Sequence, residues 1–233
     1  MTRDKRPAFK QFLMAHPLAR KELAHIIDHT LRRGDATRAE IETLCAEART
    51  HGFFSVAVPG SRVLHAAHWL EDSKVQINCV ISAPDGADDS DVKRFAVETA
   101  VDHGAEMIEV TLNHGRLKDA DDTWLLRELH DIVEAADERP VSFAIEPTWL
   151  NPHDIARLCR LVREANVKGL TVSALHNPAA TLDTVRQIRE VCGDNFGIKV
   201  DGDRFEVQPV VKFLDAGATR FGMTAGVALL ESL

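Results

Sequence analysis

The chain has 233 residues, of which 45% are hydrophobic and 27% charged, with a formal net charge of −8 and a sequence pI of about 5.8. This length suits one domain with a large core, and the acidic balance argues against nucleic acid or an anionic membrane surface as a partner. No apolar run is long enough to cross a bilayer, and no signal-type apolar segment follows the charged start. None of the four cysteines has a metal-like spacing, so we expect reduced, buried thiols and a cytoplasmic location.

Short β-like runs alternate with amphipathic helical segments along the chain. Residues 36–52 and 152–166 have the apolar spacing of helices, and the first of these segments stops near Gly52. About eight β-then-α units predict a single-domain α/β fold, a (β/α)8 TIM barrel over residues 22–233, with residues 1–21 as an N-terminal arm or helix. A doubly wound open sheet is the structural alternative. The predicted strands are residues 26–30, 55–59, 75–82, 107–113, 141–147, 169–173, 197–202 and 219–224.

The predicted strands alternate polar and apolar residues, although parallel strands covered by helices are usually almost continuously apolar. In residues 107–113, for example, Ile108, Val110 and Leu112 share one face and the polar residues share the other. The apolar face must meet the helices, so the polar face points into the barrel, near the strand ends where barrel enzymes carry out catalysis. The side chains expected in the lumen are Asp28, Thr30, Gln76, Asn78, Glu109, Thr111, Asn113, Glu146, Thr171, Ser173, Lys199 and Asp201.

Lys199 is the one clear cation among these lumen positions, and it is accompanied by several acids. Burial lowers the pKa of a lysine and nearby carboxylates raise it, so such a lysine can serve as nucleophile, acid/base or charge anchor. A buried ion-pair network that only holds the barrel together is the alternative. The convergence of polar groups from different strands favours a functional site.

Glycines at or just after the ends of the last two strands, Gly202, Gly222 and Gly226, would let backbone N–H groups approach a phosphate. Asp201 and the acids that follow it oppose an anion at this place. We expect Arg204 and Arg220 to offset part of that negative charge.

Two histidines, His114 and His176, follow strand ends and are expected near the mouth of the barrel. With Glu109 or Asp201 they could form a metal site, but no compact ligand spacing supports one, and we predict no metal and no cofactor. His29, in contrast, falls on the outward face of its strand. The chain contains no tyrosine, which excludes a phenolic acid/base.

A set of motifs runs through the chain in a fixed order. They are IDHTL (27–31), LCAEA (44–48), SVAVPGSRV (55–63), VK (92–93), Glu98, GAEMIEVTLNHG (104–115), AIEPTWL (144–150), ATLDTVRQIREVCGDNFGIKV (180–200) and DAGATRFGMTAG (215–226). In this combination and spacing, from about residue 22 to the end, the chain resembles the deoxyribose-phosphate aldolase family. The resemblance implies a (β/α)8 barrel and reversible aldol addition of acetaldehyde to glyceraldehyde 3-phosphate.

The resemblance also implies an imine-forming lysine on strand six, a second lysine on strand seven that lowers its pKa, and an aspartate on strand four. Lys199 matches the strand-seven lysine, Glu109 stands at the aspartate position, and Asp28 matches a strand-one aspartate. The strand-six segment usually reads V-K-T-S-T-G, whereas this chain has LTVSAL, so Thr171 replaces the imine-forming lysine.

Other departures from the family pattern cluster around the same place. Leu175 replaces the glycine that closes the strand-six motif and belongs to the phosphate pocket. Gly202-Asp203 stands where the family has two glycines, and Thr224-Ala225 where it has two serines. Lys168 is three residues from position 171 and therefore on the opposite face, so we do not expect it to replace the missing lysine.

Threonine cannot form an imine, so the family mechanism cannot run unmodified at position 171. The leading hypothesis is a divergent aldolase or lyase of this family acting on a small aldehyde or sugar, phosphorylated or not, with no nucleic acid or membrane partner and a homodimer left open. The alternatives are a non-catalytic metabolite-binding barrel and a metal-assisted lyase. The predicted catalytic residues are Lys199 as nucleophile or electrostatic anchor, Glu109 as acid/base, and Asp28. The predicted substrate-binding residues are Thr30, Asn78, Asn113, Thr171, Ser173, Asp201, Gly202, Gly222 and Thr224.

Overall fold

In a computed structural model, which describes residues 17–233, the chain forms a closed barrel of eight parallel strands. Each strand pairs with its neighbours in sequence, and the last strand pairs with the first. The strands are β1 (Ile27–Thr30), β2 (Ser55–Pro59), β3 (Gln76–Ile81), β4 (Met107–Thr111), β5 (Val141–Ile145), β6 (Gly169–Ser173), β7 (Gly197–Asp201) and β8 (Arg220–Met223). The predicted barrel is confirmed, and the open sheet is excluded.

Helices connect the strands and cover the outside of the barrel. They are α1 (Pro17–Ala24), α2 (Arg38–His51), α3 (Val63–Leu70), α4 (Ser90–Asp102), α5 (His114–Lys118), α6 (Asp122–Ala135), α7 (Pro152–Glu164), α8 (Pro178–Cys192), α9 (Val207–Ala216) and α10 (Gly226–Glu231), with short 3-10 turns at Gly60–Arg62 and Pro147–Trp149. Helix α1 occupies part of the predicted N-terminal arm, and residues 1–16 of that arm lie outside the described residues. No helix within residues 17–233 is long and apolar enough to cross a membrane.

The helix ends are set by local sequence signals. Helix α2 begins with a capping box, in which the Thr37 side chain accepts from the Glu40 N–H and the Glu40 side chain accepts from the Thr37 N–H. It ends at Gly52, whose left-handed φ of 69° is a conformation that glycine adopts at little cost. Asn151 caps helix α7 in the same manner. These connections orient the strands so that all their carboxyl ends meet at one end of the barrel.

The predicted two-residue alternation matches the layers of the barrel. Ile108, Val110, Phe143, Leu170 and Val200 point outward and are fully or almost fully buried under the helices. The polar residues between them point into the lumen. Burial of the outer apolar layer against the helices stabilises the barrel. The inner layer can therefore consist of polar and charged side chains.

Candidate active site

Three strands bring charged side chains together in the middle of the barrel. Lys199 lies among them, with Nζ 2.5 Å from Glu109 Oε2, 3.4 Å from Asp28 Oδ2 and 3.9 Å from Asp201 Oδ1. All four side chains are buried. Burial would lower the pKa of Lys199, but the charges of Glu109, Asp201 and Asp28 outweigh it and hold that pKa above its usual range. The Lys199 amine is therefore an ammonium ion in the resting protein.

Thr171 occupies the lumen position on β6 that is in register with Lys199 on β7. Its hydroxyl donates to Glu109 Oε2 at 2.7 Å, the same oxygen that faces the lysine. Burial favours the neutral form of Glu109, but Lys199, Thr171 and Arg32 outweigh burial and lower the pKa of the carboxyl. Glu109 Oε1 has no hydrogen-bond partner among the described residues. One oxygen of this carboxylate is therefore fixed, and the other remains available to accept a proton.

Asp201 at the end of β7 is bound by a second cation, because the Arg32 Nη1 group donates to its Oδ2. Burial raises the pKa of Asp201, against the opposite influence of Lys199 and Arg32. Gly222 is in register with Asp201, and a Cβ atom at Gly222 would overlap the Asp201 carboxylate. The glycine is needed here to make room for the Asp201 carboxylate.

Arg220 lies at the amino ends of the strands, where its Nη2 donates to both carboxylate oxygens of Asp28 at 2.6 and 2.7 Å. Its guanidinium is 4.1 Å from the centre of the Phe54 ring. Burial favours neutral Asp28, but Arg220 and Lys199 outweigh it and lower the pKa. The expectation that Arg220 offsets charge near the last strand ends is therefore wrong, because it sits at the opposite end of the barrel.

The strand pattern does not predict Arg32 in the lumen, where Lys199 is the one clear cation expected. The structure adds two arginines to the charged cluster, Arg32 on one side and Arg220 on the other. A signal for Arg32 was present, because it follows Asp28 and Thr30 with the same two-residue spacing, just beyond the end of β1. Its long side chain lets a loop residue reach the end of β7.

A cavity of about 370 Å³ opens at the carboxyl ends of the strands; we call it the mouth cavity. Glu109, Thr171 and Asp201 line it, so a ligand in the cavity would meet the charged cluster. Trp149 and Leu175 also line it and are 44% and 46% exposed, which gives the cavity an apolar side. A smaller cavity of about 100 Å³ lies at the amino ends of the strands.

Glu146 follows β5 and contacts both predicted mouth histidines. Its Oε2 is 2.8 Å from His176 Nδ1, and its Oε1 accepts from the Thr148 N–H and hydroxyl at 3.1 and 2.7 Å. The Glu146 backbone N–H donates to His114 Nε2 at 3.0 Å. The histidines thus lie near the mouth as predicted, but they contact Glu146 instead of the partners considered for a metal. Within residues 17–233, no three histidine, cysteine or acidic side chains are grouped so that they could hold a metal ion.

Several other predicted substrate-binding residues also face the lumen. Ser173 lines the mouth cavity, and Asn78 lines the smaller cavity at the amino ends of the strands. Thr30 is buried, and its hydroxyl donates to the Asp28 carbonyl at 2.9 Å. His29 points outward, as predicted, with its Nε2 2.7 Å from Glu47 Oε2 on helix α2.

Three predicted substrate-binding residues make hydrogen bonds within the protein at or after the strand ends. Asn113 caps the short helix α5 by accepting from the Arg116 N–H at 3.1 Å. The Thr224 hydroxyl donates to the Asp203 carbonyl at 2.8 Å. The Gly202 N–H donates to the Gly222 carbonyl at 2.9 Å. The structure therefore does not bring these residues into the charged cluster.

Comparison with known proteins gives consistent relatives. The chain is 36% identical over 211 residues to a deoxyribose-phosphate aldolase from Bdellovibrio bacteriovorus, which covers 90% of this chain and 96% of the relative. A deoxyribose-phosphate aldolase from Streptococcus pneumoniae is 35% identical with the same coverage. The tetrameric structure of the deoxyribose phosphate aldolase from Aeropyrum pernix aligns with a TM-score of 0.84 at 22% identity and covers 100% of this chain and 97% of its own. No family model matches the chain.

Proposed function

Because the chain belongs to the deoxyribose-phosphate aldolase family, we propose that it is an aldolase-type carbon–carbon lyase that works without an imine on strand six. The relatives indicate an aldolase-type activity. Thr171 at the strand-six position requires a different chemical route, since a hydroxyl cannot form an imine. The remaining lumen groups must then stabilise the negative charge that develops when the carbon–carbon bond breaks.

The observation that supports this proposal is the position of Lys199 Nζ, which lies within 4 Å of three carboxylates. A protonated amine has no lone pair for attack on a carbonyl, and its three acidic neighbours keep the proton in place. A fixed positive charge in a buried site stabilises a developing oxyanion much better than one in water does. We therefore assign Lys199 the role of electrostatic anchor rather than nucleophile.

Glu109 is the proposed acid/base. In the cleavage direction its free Oε1 would accept the hydroxyl proton of a β-hydroxy carbonyl substrate, and the carbon–carbon bond would then break. One product leaves as an aldehyde, and the electron pair of the broken bond forms an enolate whose oxygen lies against the Lys199 ammonium. The proton on Glu109 returns to the enolate carbon, which restores the resting site. Asp28 orients Lys199 at 3.4 Å.

Proton exchange of a small aldehyde tests this assignment without knowledge of the full substrate. We expect the protein to exchange the α-protons of acetaldehyde with D2O, followed by proton NMR, because exchange needs the base and the oxyanion site alone. Lys199→Met should slow the exchange by at least about 10³-fold, since it removes the charged donor. Lys168→Met is the matched control: its amine is exposed and bound to Asn166 Oδ1 at 2.7 Å, so the rate should not change.

Borohydride trapping separates the two roles of Lys199. We expect no reduced adduct after incubation with acetaldehyde and borohydride. An adduct mapped to Lys199 would replace the electrostatic role with an imine on that residue, while the lyase assignment would stand. No exchange at all with acetaldehyde, combined with ligand binding, would instead support a non-catalytic barrel.

A homodimer also remains a proposal for this chain; the Aeropyrum pernix structure is tetrameric.

A further inference from the structure

The hydrogen-bond donors of the loop that follows β8 are bonded to another part of the protein. In barrel enzymes, phosphate groups are frequently held by backbone N–H groups in the loops after the last two strands. Here the N–H groups of Thr224 and Ala225 both donate to the Asp203 carbonyl at 3.1 Å, and the Thr224 hydroxyl donates to the same oxygen at 2.8 Å. One carbonyl oxygen of the protein therefore takes the donors that a phosphate oxygen would need.

The loops after β6 and β7 have engaged donors as well. The Ala174 N–H donates to the Asp201 carbonyl at 2.7 Å, and the Leu175 N–H to the Ser173 hydroxyl at 3.4 Å. The Gly202 N–H donates to the Gly222 carbonyl at 2.9 Å. A phosphate at this end of the barrel would have to break these bonds, and each broken bond leaves a carbonyl or hydroxyl acceptor without its donor.

The charge around the mouth cavity also opposes an anion. Among the described residues that line it, Glu109, Glu146 and Asp201 are acids, and Arg32 is the one residue with a permanent positive charge. Arg32 is already bound to Asp201. A phosphate dianion would therefore find no cation without a carboxylate partner among these lining residues, which is unfavourable in a buried site.

The same cavity offers a surface for an apolar group. Trp149 and Leu175 are both nearly half exposed there, and Val80 and Ile145 also line the wall. Leu175 replaces the glycine of the family pattern in the loop after β6, and its side chain lines the cavity. An aromatic ring beside aliphatic side chains binds an apolar substituent by burial of both surfaces.

From these observations we infer that the substrate is an uncharged, unphosphorylated carbonyl compound whose apolar substituent lies against Trp149 and Leu175. The inference rests on the proposed lyase function for its chemistry. The carbonyl end meets Glu109, which lines the cavity and contacts Lys199. The exposed ring of His176, bound to Glu146, provides a hydrogen-bonding group on the polar side of the cavity. The engaged donors and the negative lining select against a phosphate at the other end of the substrate.

Aldol addition with acetaldehyde as donor tests the inference through the choice of acceptor. The three acceptors are glyceraldehyde 3-phosphate, glyceraldehyde and 3-phenylpropanal. We expect kcat/KM to be at least about tenfold higher for glyceraldehyde than for its phosphate, and higher again by about tenfold for 3-phenylpropanal. Trp149→Ala should remove the second advantage. Leu64→Ala, which shortens an exposed apolar side chain on helix α3 outside the cavity, should change none of these values.

A binding measurement keeps the inference independent of turnover. Isothermal titration calorimetry of the unmodified chain should detect 3-phenylpropanal and no glyceraldehyde 3-phosphate at the same concentration, with the 3-phenylpropanal signal weakened by Trp149→Ala. Loss of acetaldehyde exchange would overturn the proposed function while this titration still decides the substrate class. A preference for glyceraldehyde 3-phosphate in either experiment would overturn the inference and leave the lyase function intact.

Discussion

Two buried lysines of this barrel differ in what surrounds them. Lys93, on helix α4, is fully buried between the barrel and helix α6, where its Nζ lies 3.2 Å from Glu128 Oε1 and donates to the Thr111 carbonyl at 3.1 Å. Burial lowers the pKa of Lys93, and the charge of Glu128 offsets this in part. Lys199, in the lumen, has three carboxylates within 4 Å, and its pKa is raised.

The difference teaches that burial by itself does not decide the charge of a lysine. One carboxylate does not fully compensate the desolvation of Lys93, and burial also raises the pKa of Glu128. Three carboxylates more than compensate the desolvation of Lys199. The Lys93–Glu128 pair joins two helices outside the barrel. Lys199 instead carries a charge that three carboxylates maintain in the lumen, beside Glu109, which lines the mouth cavity.

The largest expected effect comes from a second amine beside Lys199. Thr171→Lys would put an amine at the position in register with Lys199, and the like charge would lower the pKa of the introduced amine. Since a neutral amine attacks carbonyls, we expect borohydride and acetaldehyde to trap an adduct at position 171, which the unmodified chain does not form. Peptide mass mapping locates the adduct.

Thr171→Met is the matched control for this variant, since it has a similar length and no amine. It should give no adduct. A folded Thr171→Lys protein that also gives no adduct would mean that the carboxylates keep both amines protonated. The like charge of Lys199 would then be too weak to lower the pKa of the introduced amine.

Sequence reasoning predicted the lumen well because strand alternation is a local rule. Asp28, Glu109 and Lys199 come together in the structure from strands far apart in the chain, in agreement with that alternation. Strand alternation does not predict the contact of Arg32 with Asp201, because Arg32 reaches it from a loop through a flexible side chain. No backbone periodicity fixes such a position.

The ends of elements were also hard to predict. The strand pattern extended to Asn113, yet β4 stops at Thr111, because the Asn113 side chain caps the next helix. Thr224 could not be foreseen as a loop contact, since its partner is a backbone carbonyl on a different loop. The buried Lys93–Glu128 pair was not predicted either, because both residues lie in helices where charged residues are normally exposed.

The next effect in size concerns stability. Lys93→Met leaves Glu128 buried without its partner, so we expect the free energy of unfolding to fall by about 3–5 kcal/mol at pH 7 in urea denaturation. The loss should shrink as the pH falls, because Glu128 then binds a proton and its charge disappears. Acetaldehyde exchange per folded molecule should stay unchanged, in contrast to Lys199→Met.

The double variant Lys93→Met with Glu128→Leu should recover most of that stability, since two apolar side chains replace the ion pair. Arg94→Met, which breaks an exposed pair with Glu98 on the same helix, is the control and should cost less than about 1 kcal/mol. A Lys93→Met loss as small as that of Arg94→Met would show that Lys93 and Glu128 do not depend on each other.

His114 extends the comparison to a buried base that has no carboxylate bound to its ring. Burial lowers its pKa to about 4, and its Nε2 accepts from the Glu146 N–H, which requires the neutral ring. The unfolded chain takes up the proton near pH 6.5, so His114 adds stability above that pH and this contribution is lost as the pH falls toward 4. The change amounts to about 3 kcal/mol.

His114→Gln should flatten the fall in unfolding free energy between pH 6.5 and pH 4 by about that amount, because glutamine has no proton to gain in this range. His153→Gln, an exposed position at the start of helix α7, is the control and should leave the pH dependence unchanged. If His114→Gln keeps the steep fall, then His114 is not its cause, and Asp28 and Glu109 are not either, because their lowered pKa values place the loss of their charges below this pH range. A flattened profile would instead show that burial sets the pKa of His114, which has no ion partner. Burial also lowers the pKa of Lys93, whereas carboxylates raise the pKa of Lys199.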